Sequence, residues 1–140
     1  MSDPFNLQRF VDAQVSVIDD VRAELRAGRK RTHWMWFVFP QIAGLGHSQM
    51  AQHYAIQSRA EAEAYLAHPV LGARLVELTG IVNGVRDRSV DQIFGYPDDM
   101  KFHSSMTLFA RCAPDPAPFD EALRRYFGGR PDEATLARLR

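Results

Sequence analysis

The sequence predicts an all-α fold, a compact multihelical single domain of about eight helices spanning residues 1–140. Apolar residues recur at helical spacing in most segments, and Gly or Pro separates one segment from the next. No stretch alternates with period two for long enough to require a sheet. A chain of 140 residues also matches the common size of one domain, so we expect a single core.

The first helical region is predicted between Pro4 and Ala27. Asp3 supplies an N-cap residue and Pro4 suits the first helical position. The apolar spacing shifts near residues 14–16, which indicates either one helix or two. Gly28 ends the region, and the basic residues 29–31 that follow are interpreted as a solvated link.

The segment 34–39 is apolar on every side and is predicted to be buried at the centre of the core, whether it is a short helix or an extended piece. Pro40 ends it. Residues 44–46 are predicted to form a flexible turn, and Ser48 is placed to cap the next helix.

The second half of the chain carries regular helix-start signals. They are capping boxes, in which a Ser hydroxyl and a Glu or Gln side chain satisfy free backbone donors, and Pro residues at helix N-termini. The predicted starts are Ser58 with Glu61, His68–Pro69, Ser89 with Gln92, Pro97, Asp115–Pro116 and Asp132.

Composition excludes several classes of function. The 17 basic and 17 acidic side chains cancel, so no overall field attracts a polyanion, and we do not expect a nucleic-acid partner. The longest apolar run is far shorter than the ~20 residues that cross a bilayer, so we expect no membrane association. Cys112 is the only cysteine, and the first residues do not resemble a signal peptide. These features predict a cytoplasmic protein.

The segment from Asp98 to Phe109 is the first candidate for chemistry. At 100° per residue, Asp98, Lys101 and Ser105 share the apolar face of the predicted helix. They form either a structural salt bridge at the helix start or part of a ligand pocket, with Asp98 and Lys101 as catalytic candidates and Ser104 and Ser105 as ligand-binding candidates.

The aromatic segment is the second candidate, because indole rings stack on planar ligands while an imidazole orients them. Its ligand-binding candidates are His33, Trp34 and Trp36. The alternative is a core aromatic cluster in which a backbone carbonyl satisfies His33.

A third candidate precedes the helix that Ser48 caps. Glycines running into a helix N-terminus offer free backbone donors to an anion such as phosphate, although an ordinary tight turn has the same residues. Its ligand-binding candidates are Gln41, Gly44, Gly46 and Ser48.

Several other chemistries have no signature in the sequence. The five His residues include no H-E-x-x-H motif, and one Cys cannot build a zinc or iron–sulfur site. The P-loop and the G-x-S-x-G elbow are also absent. We therefore expect no metal site and no cofactor.

Long motifs resemble a bacterial family of unknown function that is sometimes labelled calpastatin-like. These motifs are Asp3-Pro4-Phe5, Lys30-Arg31-Thr32-His33-Trp34-Met35-Trp36-Phe37-Val38-Phe39-Pro40-Gln41, Gly44-Leu45-Gly46, Ile93-Phe94-Gly95 and Asp98-x-x-Lys101-x-x-Ser104-Ser105-Met106-Thr107-Leu108-Phe109. The resemblance implies a small all-helical protein. The chain has none of the disordered repeats of calpain inhibitors, so the label carries no inhibitor function.

A shorter stretch resembles a helix of the NADAR superfamily, whose members are associated with the N-glycosidic chemistry of NAD and ADP-ribose. It consists of Ala64-Tyr65-Leu66-x-His68-x-x-Leu71 followed by Leu75 and Thr79. No catalytic residue transfers from this likeness.

The leading hypothesis is an uncharacterised cytoplasmic protein with a pocket for a nucleotide-like small molecule, which could include N-glycosidic hydrolase activity related to NAD or ADP-ribose. One indole would stack on the base, the turn at residues 44–48 would bind phosphate, and Asp98 would be the acid or base that Lys101 keeps ionised. The alternative is a non-catalytic module that binds a protein partner of unknown identity.

Overall fold

The computed structural model describes residues 2–139 and confirms the all-α class. Within this range the only β pairing is an isolated parallel bridge between Ile42 and Ile56. The helices of the described residues are α1 (Gln8–Val15), α2 (Ile18–Arg26), α3 (Met35–Val38), α4 (Gln49–His53), α5 (Arg59–Ala67), α6 (Leu71–Gly84), α7 (Val90–Phe94), α8 (Asp98–Cys112), α9 (Ala117–Phe127) and α10 (Glu133–Leu139).

The described residues form ten helices where the sequence predicts about eight. The N-terminal region divides into two helices at Ser16 and Val17, close to the predicted break, and α3 is a separate single turn. The first helix also begins later than predicted. Asn6 has a positive φ of 52°, which interrupts a helix, so the Asp3 carboxylate accepts hydrogen bonds from the backbone N–H groups of Leu7 and Gln8.

Side-chain caps fix several helix starts where the sequence predicts them. The Ala51 N–H donates to Ser48 Oγ, and Ser89 with Gln92 forms a complete capping box. At α5 only half of the predicted box forms. Ser58 Oγ accepts from the Glu61 N–H, but the Glu61 carboxylate, which lies 2.7 Å from Arg9, accepts from the N–H of Gln57 and not from that of Ser58.

The aromatic segment 34–39 lies in the core, as predicted. Trp34, Phe37 and Phe39 are buried, whereas Trp36 is only half-buried. The Phe39 ring meets the ring of Phe102 on α8 edge-to-face, with centroids 5.1 Å apart. This packing carries α3 and the loop before it against the N-terminal half of α8.

None of the helices described over residues 2–139 combines the length and the apolar character needed to cross a bilayer.

Candidate functional site

The carboxylate of Asp98, at the start of α8, lies between two lysine side chains. The Lys30 ammonium is 2.9 Å from Oδ2, and the Lys101 ammonium, one helical turn along α8, is 3.5 Å from Oδ1. The Lys30 ion pair joins the loop after α2 to α8, whereas the Lys101 ion pair lies within α8. We call Lys30, Trp34, Trp36, Asp98 and Lys101 the Asp98 cluster.

Only two of the 17 Lys and Arg residues are lysines, and both belong to the Asp98 cluster. Lysine is a compact, rotatable point charge with three N–H donors, whereas arginine is a planar fork, so the two are not interchangeable at a bound group. The chain therefore places its two ammonium groups on one carboxylate.

Lys30 is enclosed by its own loop and by α8. Its side chain is 6% exposed, and its ammonium also donates to the Thr32 carbonyl at 2.5 Å and lies 5.0 Å from the ring centre of Trp34. Its backbone N–H donates to the Ile93 carbonyl at the end of α7. The expected solvated link at residues 29–31 is thus wrong for Lys30, because the loop turns this side chain inward while Arg29 and Arg31 stay exposed.

The buried carboxylate of Glu24 on α2 fixes the loop that carries Lys30. It accepts hydrogen bonds from the backbone N–H groups of Arg31 and Thr32, from Thr32 Oγ1 and from Trp34 Nε1, at 2.6–3.0 Å. Burial raises the pKa of Glu24, but the hydrogen bonds to Thr32, Arg31 and Trp34 together lower it below its usual value. The carboxylate stays ionised, and the Lys30–Trp34 loop is ordered by folding alone.

Lys101 is the accessible cation of the Asp98 cluster. Its side chain is 24% exposed, and its ammonium lies 5.2 Å from the ring centre of the half-buried Trp36. Among the described residues this ammonium has an ion-pair contact with Asp98 but no hydrogen-bond acceptor within normal range. Two of its three N–H donors at least are free for a ligand or for water.

A separate cleft of about 340 Å³ lies between the chain after α3 and the chain around α4. The Ile42–Ile56 bridge joins its two sides, since the Ile56 N–H donates to the Gln41 carbonyl and the Ala43 N–H to the Ile56 carbonyl, both at 2.8 Å. The lining residues are Gln41, Ile42, Ala43, Gly44, Gly46, Ala51, Gln52, Ala55 and Gln57. We call this the amide cleft.

Comparison with known proteins identifies the family. The model of the family described as protein of unknown function (DUF1810) matches residues 4–139. The chain belongs to the DUF1810 family. The crystal structure of the conserved hypothetical protein Rv1873 from Mycobacterium tuberculosis is similar to this chain, with 57% identity, 98% of each chain covered and a TM-score of 0.97. The search of curated proteins found no match.

These findings correct the two resemblances inferred from sequence motifs. The expected membership of a calpastatin-like family was wrong, because the family that matches almost the whole chain is DUF1810. The likeness to the NADAR superfamily was also wrong, since neither the family match nor the similar solved structure supports it. Short motifs of common helix-forming residues carry too little information to identify a superfamily.

In this DUF1810 protein most of the predicted site residues lie either in or next to the Asp98 cluster or in the amide cleft. Trp34, Trp36, Asp98 and Lys101 belong to the Asp98 cluster, and the exposed His33 precedes Trp34 in the same loop. Three of the others, Gln41, Gly44 and Gly46, line the amide cleft. The ligand-binding and catalytic roles of all these residues stay predictions.

Ser48, Ser104 and Ser105 have different surroundings. Ser48 caps the five-residue helix α4. Ser104 Oγ donates to the Met100 carbonyl and lies 2.9 Å from Asp132 Oδ2, so it ties α8 to α10. Ser105 is fully buried one turn beyond Lys101, and its hydroxyl has no hydrogen-bond partner within residues 2–139.

Lys30 is the residue of the cluster that sequence reasoning missed. Its approach to Asp98 depends on how α7 and α8 fold back on the loop, which no local pattern encodes. Composition carried a usable signal, because a sequence with only two lysines among 17 Lys and Arg residues marks both positions as chemically distinct.

Proposed function

We propose that this DUF1810 protein binds a small anionic ligand with a planar ring, of the nucleotide-like class, at the Asp98 cluster. The observation that carries the proposal is the state of Lys101. Its ammonium is partly buried against an indole and contacts one carboxylate oxygen, yet it retains free N–H donors. Such a donor set accepts a phosphate or carboxylate oxygen directly.

The balance of charge around Asp98 favours an anion. Lys30 and Lys101 both lie on the single Asp98 carboxylate, and Lys30 makes the shorter contact. An anionic ligand can therefore form an ion pair with Lys101 while Lys30 continues to neutralise Asp98. The buried carboxylate of Glu24 does not add a free negative charge here, because both of its oxygens are engaged by the loop donors.

Aromatic surface for a planar ring lies beside the same charges. Trp36 is half-buried, and Tyr96, two residues before Asp98, is 77% exposed. Rings of this kind stack on nucleobases and other planar groups.

Binding is the function the geometry supports best, and hydrolysis of an N-glycosidic bond is a finer proposal that rests on Asp98 alone. Both oxygens of Asp98 lie against ammonium groups. Asp98 Oδ1 would face a substrate once an arriving anion pairs with Lys101, while Oδ2 stays paired with Lys30. A catalytic role would require that a product is formed, and a binding measurement does not detect product formation.

The alternative function, a non-catalytic interaction module, is favoured by apolar exposure near the cluster. Tyr96 lies just before α8 and is 77% exposed, and Met100 in the first turn of α8 is 58% exposed. Tyr96→Ser with Met100→Ser should leave nucleotide binding unchanged if these side chains serve a protein partner, whereas loss of binding would assign Tyr96 to the ligand site.

Titration with ADP, adenosine and inorganic phosphate tests the proposal. We expect ADP to bind more tightly than adenosine or phosphate alone, and we expect Lys101→Met to weaken ADP binding. Arg86→Met is the matched control, because it removes one exposed positive charge that forms no ion pair within the described residues. Mass spectrometry after amine acylation gives a second readout, since ADP should protect Lys101. Equal ADP affinity in Lys101→Met and wild type would reject the site.

A hydrolytic role has its own test. Prolonged incubation with NAD or ADP-ribose, followed by chromatography of the products, should release a free base if Asp98 is catalytic. Asp98→Asn should then abolish release. Binding without products would leave the protein a binder.

A further inference from the structure

The amide cleft has no charged side chain among its lining residues, although nearly a quarter of the sequence is charged. Three charged side chains reach the lining residues only at their backbone: Arg138 approaches the Gly44 carbonyl at 3.4 Å, Arg9 donates to the Ala55 carbonyl at 3.0 Å, and the Glu61 carboxylate accepts from the Gln57 N–H at 3.0 Å. A charged ligand inside the cleft would lose its hydration and meet no opposite charge among the lining side chains, which is costly. The cleft therefore selects for an uncharged occupant.

Primary amides supply the polar groups of the cleft. Gln41, Gln52 and Gln57 all line it. Gln52 uses one N–H to bind the His47 carbonyl at 2.8 Å, while the side-chain amides of Gln41 and Gln57 form no hydrogen bond within residues 2–139. Each free amide presents two donors and one acceptor, and a hydroxyl group, which both donates and accepts, is the natural partner of such a pair.

The rest of the lining is small and apolar. Ala51 and Ala55 contribute only methyl groups, and Gly44 and Gly46 contribute no side chain of their own. A Cβ on Gly46 would approach the Ala51 Cβ to 2.5 Å, so this narrow separation requires glycine. A volume of about 340 Å³ lies at the lower end of small-molecule sites. The carbon face of a sugar ring fits such a surface, and the hydroxyls on its edge reach the amides.

We propose that the amide cleft binds an uncharged polyhydroxylated ring, as in a monosaccharide or the ribose of a nucleoside. This inference is independent of the Asp98 cluster, whose residues do not line the cleft. Recognition comes from the amides of Gln41 and Gln57, and the alanines and glycines set the size of the ring that enters.

Solution NMR of the full chain tests the proposal with D-glucose, D-ribose, adenosine and adenine as probes. We expect saturable shifts of the side-chain amide resonances of Gln41 and Gln57 with the sugars, with adenosine, or with both. Shifts with free sugars would identify a monosaccharide site, and shifts with adenosine alone would identify the ribose of a nucleoside. Adenine binding as tightly as adenosine would overturn the proposal, since the hydroxyls would then contribute nothing.

Variants separate recognition from folding. Gln57→Leu changes an exposed residue, so the fold should persist, and the dissociation constant should rise about tenfold for the loss of one good hydrogen bond. Gln49→Leu, on α4 and outside the lining, is the control and should bind as wild type. Absence of saturable shifts with all probes, or shifts produced by inorganic phosphate alone, would reject an uncharged-ring site.

Discussion

The ammonium of Lys30 lies 2.9 Å from Oδ2 of Asp98, and the Lys30 side chain is almost entirely removed from solvent. A buried pair of this kind contributes little relative to an apolar pair, but loss of one partner leaves an uncompensated charge. The pair therefore couples the order of the loop after α2 to the start of α8.

Asp98→Ala should destabilise the protein by about 3–5 kcal/mol, because it leaves Lys30 buried without its anion. Lys101→Met should cost less than about 1 kcal/mol, because Lys101 is partly exposed and Lys30 still pairs with Asp98. Urea unfolding followed by far-UV circular dichroism measures both. Equal losses in the two variants would contradict the division into a buried and an accessible lysine.

Glu24→Gln should destabilise the protein by about 1–3 kcal/mol, because an amide offers one acceptor oxygen to the donors that the carboxylate satisfies. The effect should depend on pH. The folded-state pKa of Glu24 is lowered, so its stabilisation is complete above the unfolded-state value of about 4.3 and is lost as pH falls through the folded-state pKa. The difference between wild type and variant in urea unfolding, measured from pH 7 to pH 3, should shrink in acid. A constant difference would show that the carboxylate charge is not what the loop requires.

Trp34→Ala should cost about 3–5 kcal/mol, as for other large truncations in a core. Trp36→Ala should cost clearly less, because the half-buried indole leaves no closed cavity when it is removed. Thermal unfolding of the two variants under the same conditions makes the comparison. A larger loss for Trp36 would mean that this ring, and not Trp34, anchors the segment.

Two glycines of α6 should respond in opposite directions to alanine. A Cβ on Gly80 meets nothing within 4 Å, so Gly80→Ala should stabilise the helix by up to about 1 kcal/mol. A Cβ on Gly72 would lie 2.0 Å from the Leu66 carbonyl oxygen, so Gly72→Ala should destabilise strongly. Midpoints of urea unfolding distinguish the two, and a destabilised Gly80→Ala would show that the helix needs glycine there for another reason.

Local chemistry explains which parts of the fold could be predicted. The caps at Ser48 and Ser89 involve residues three apart, so the sequence alone indicates them. The start of α1 was missed because the positive φ of Asn6 is a backbone choice that asparagine permits but does not signal.

The candidate site was predictable only within α8. The one-turn spacing of Asp98 and Lys101 places them together on any helix. The enclosure of Lys30 and the division between the Asp98 cluster and the amide cleft depend on contacts between distant segments. Periodicity reports which face of a helix is apolar, but it does not report what covers that face.

The hydrogen bonds around Glu24 have a kinetic consequence. Because folding already holds the loop from Arg31 to Trp34, a ligand at the Asp98 cluster has no loop to order when it arrives. Association rates should then differ little among related anions, and residence time should separate strong from weak ligands.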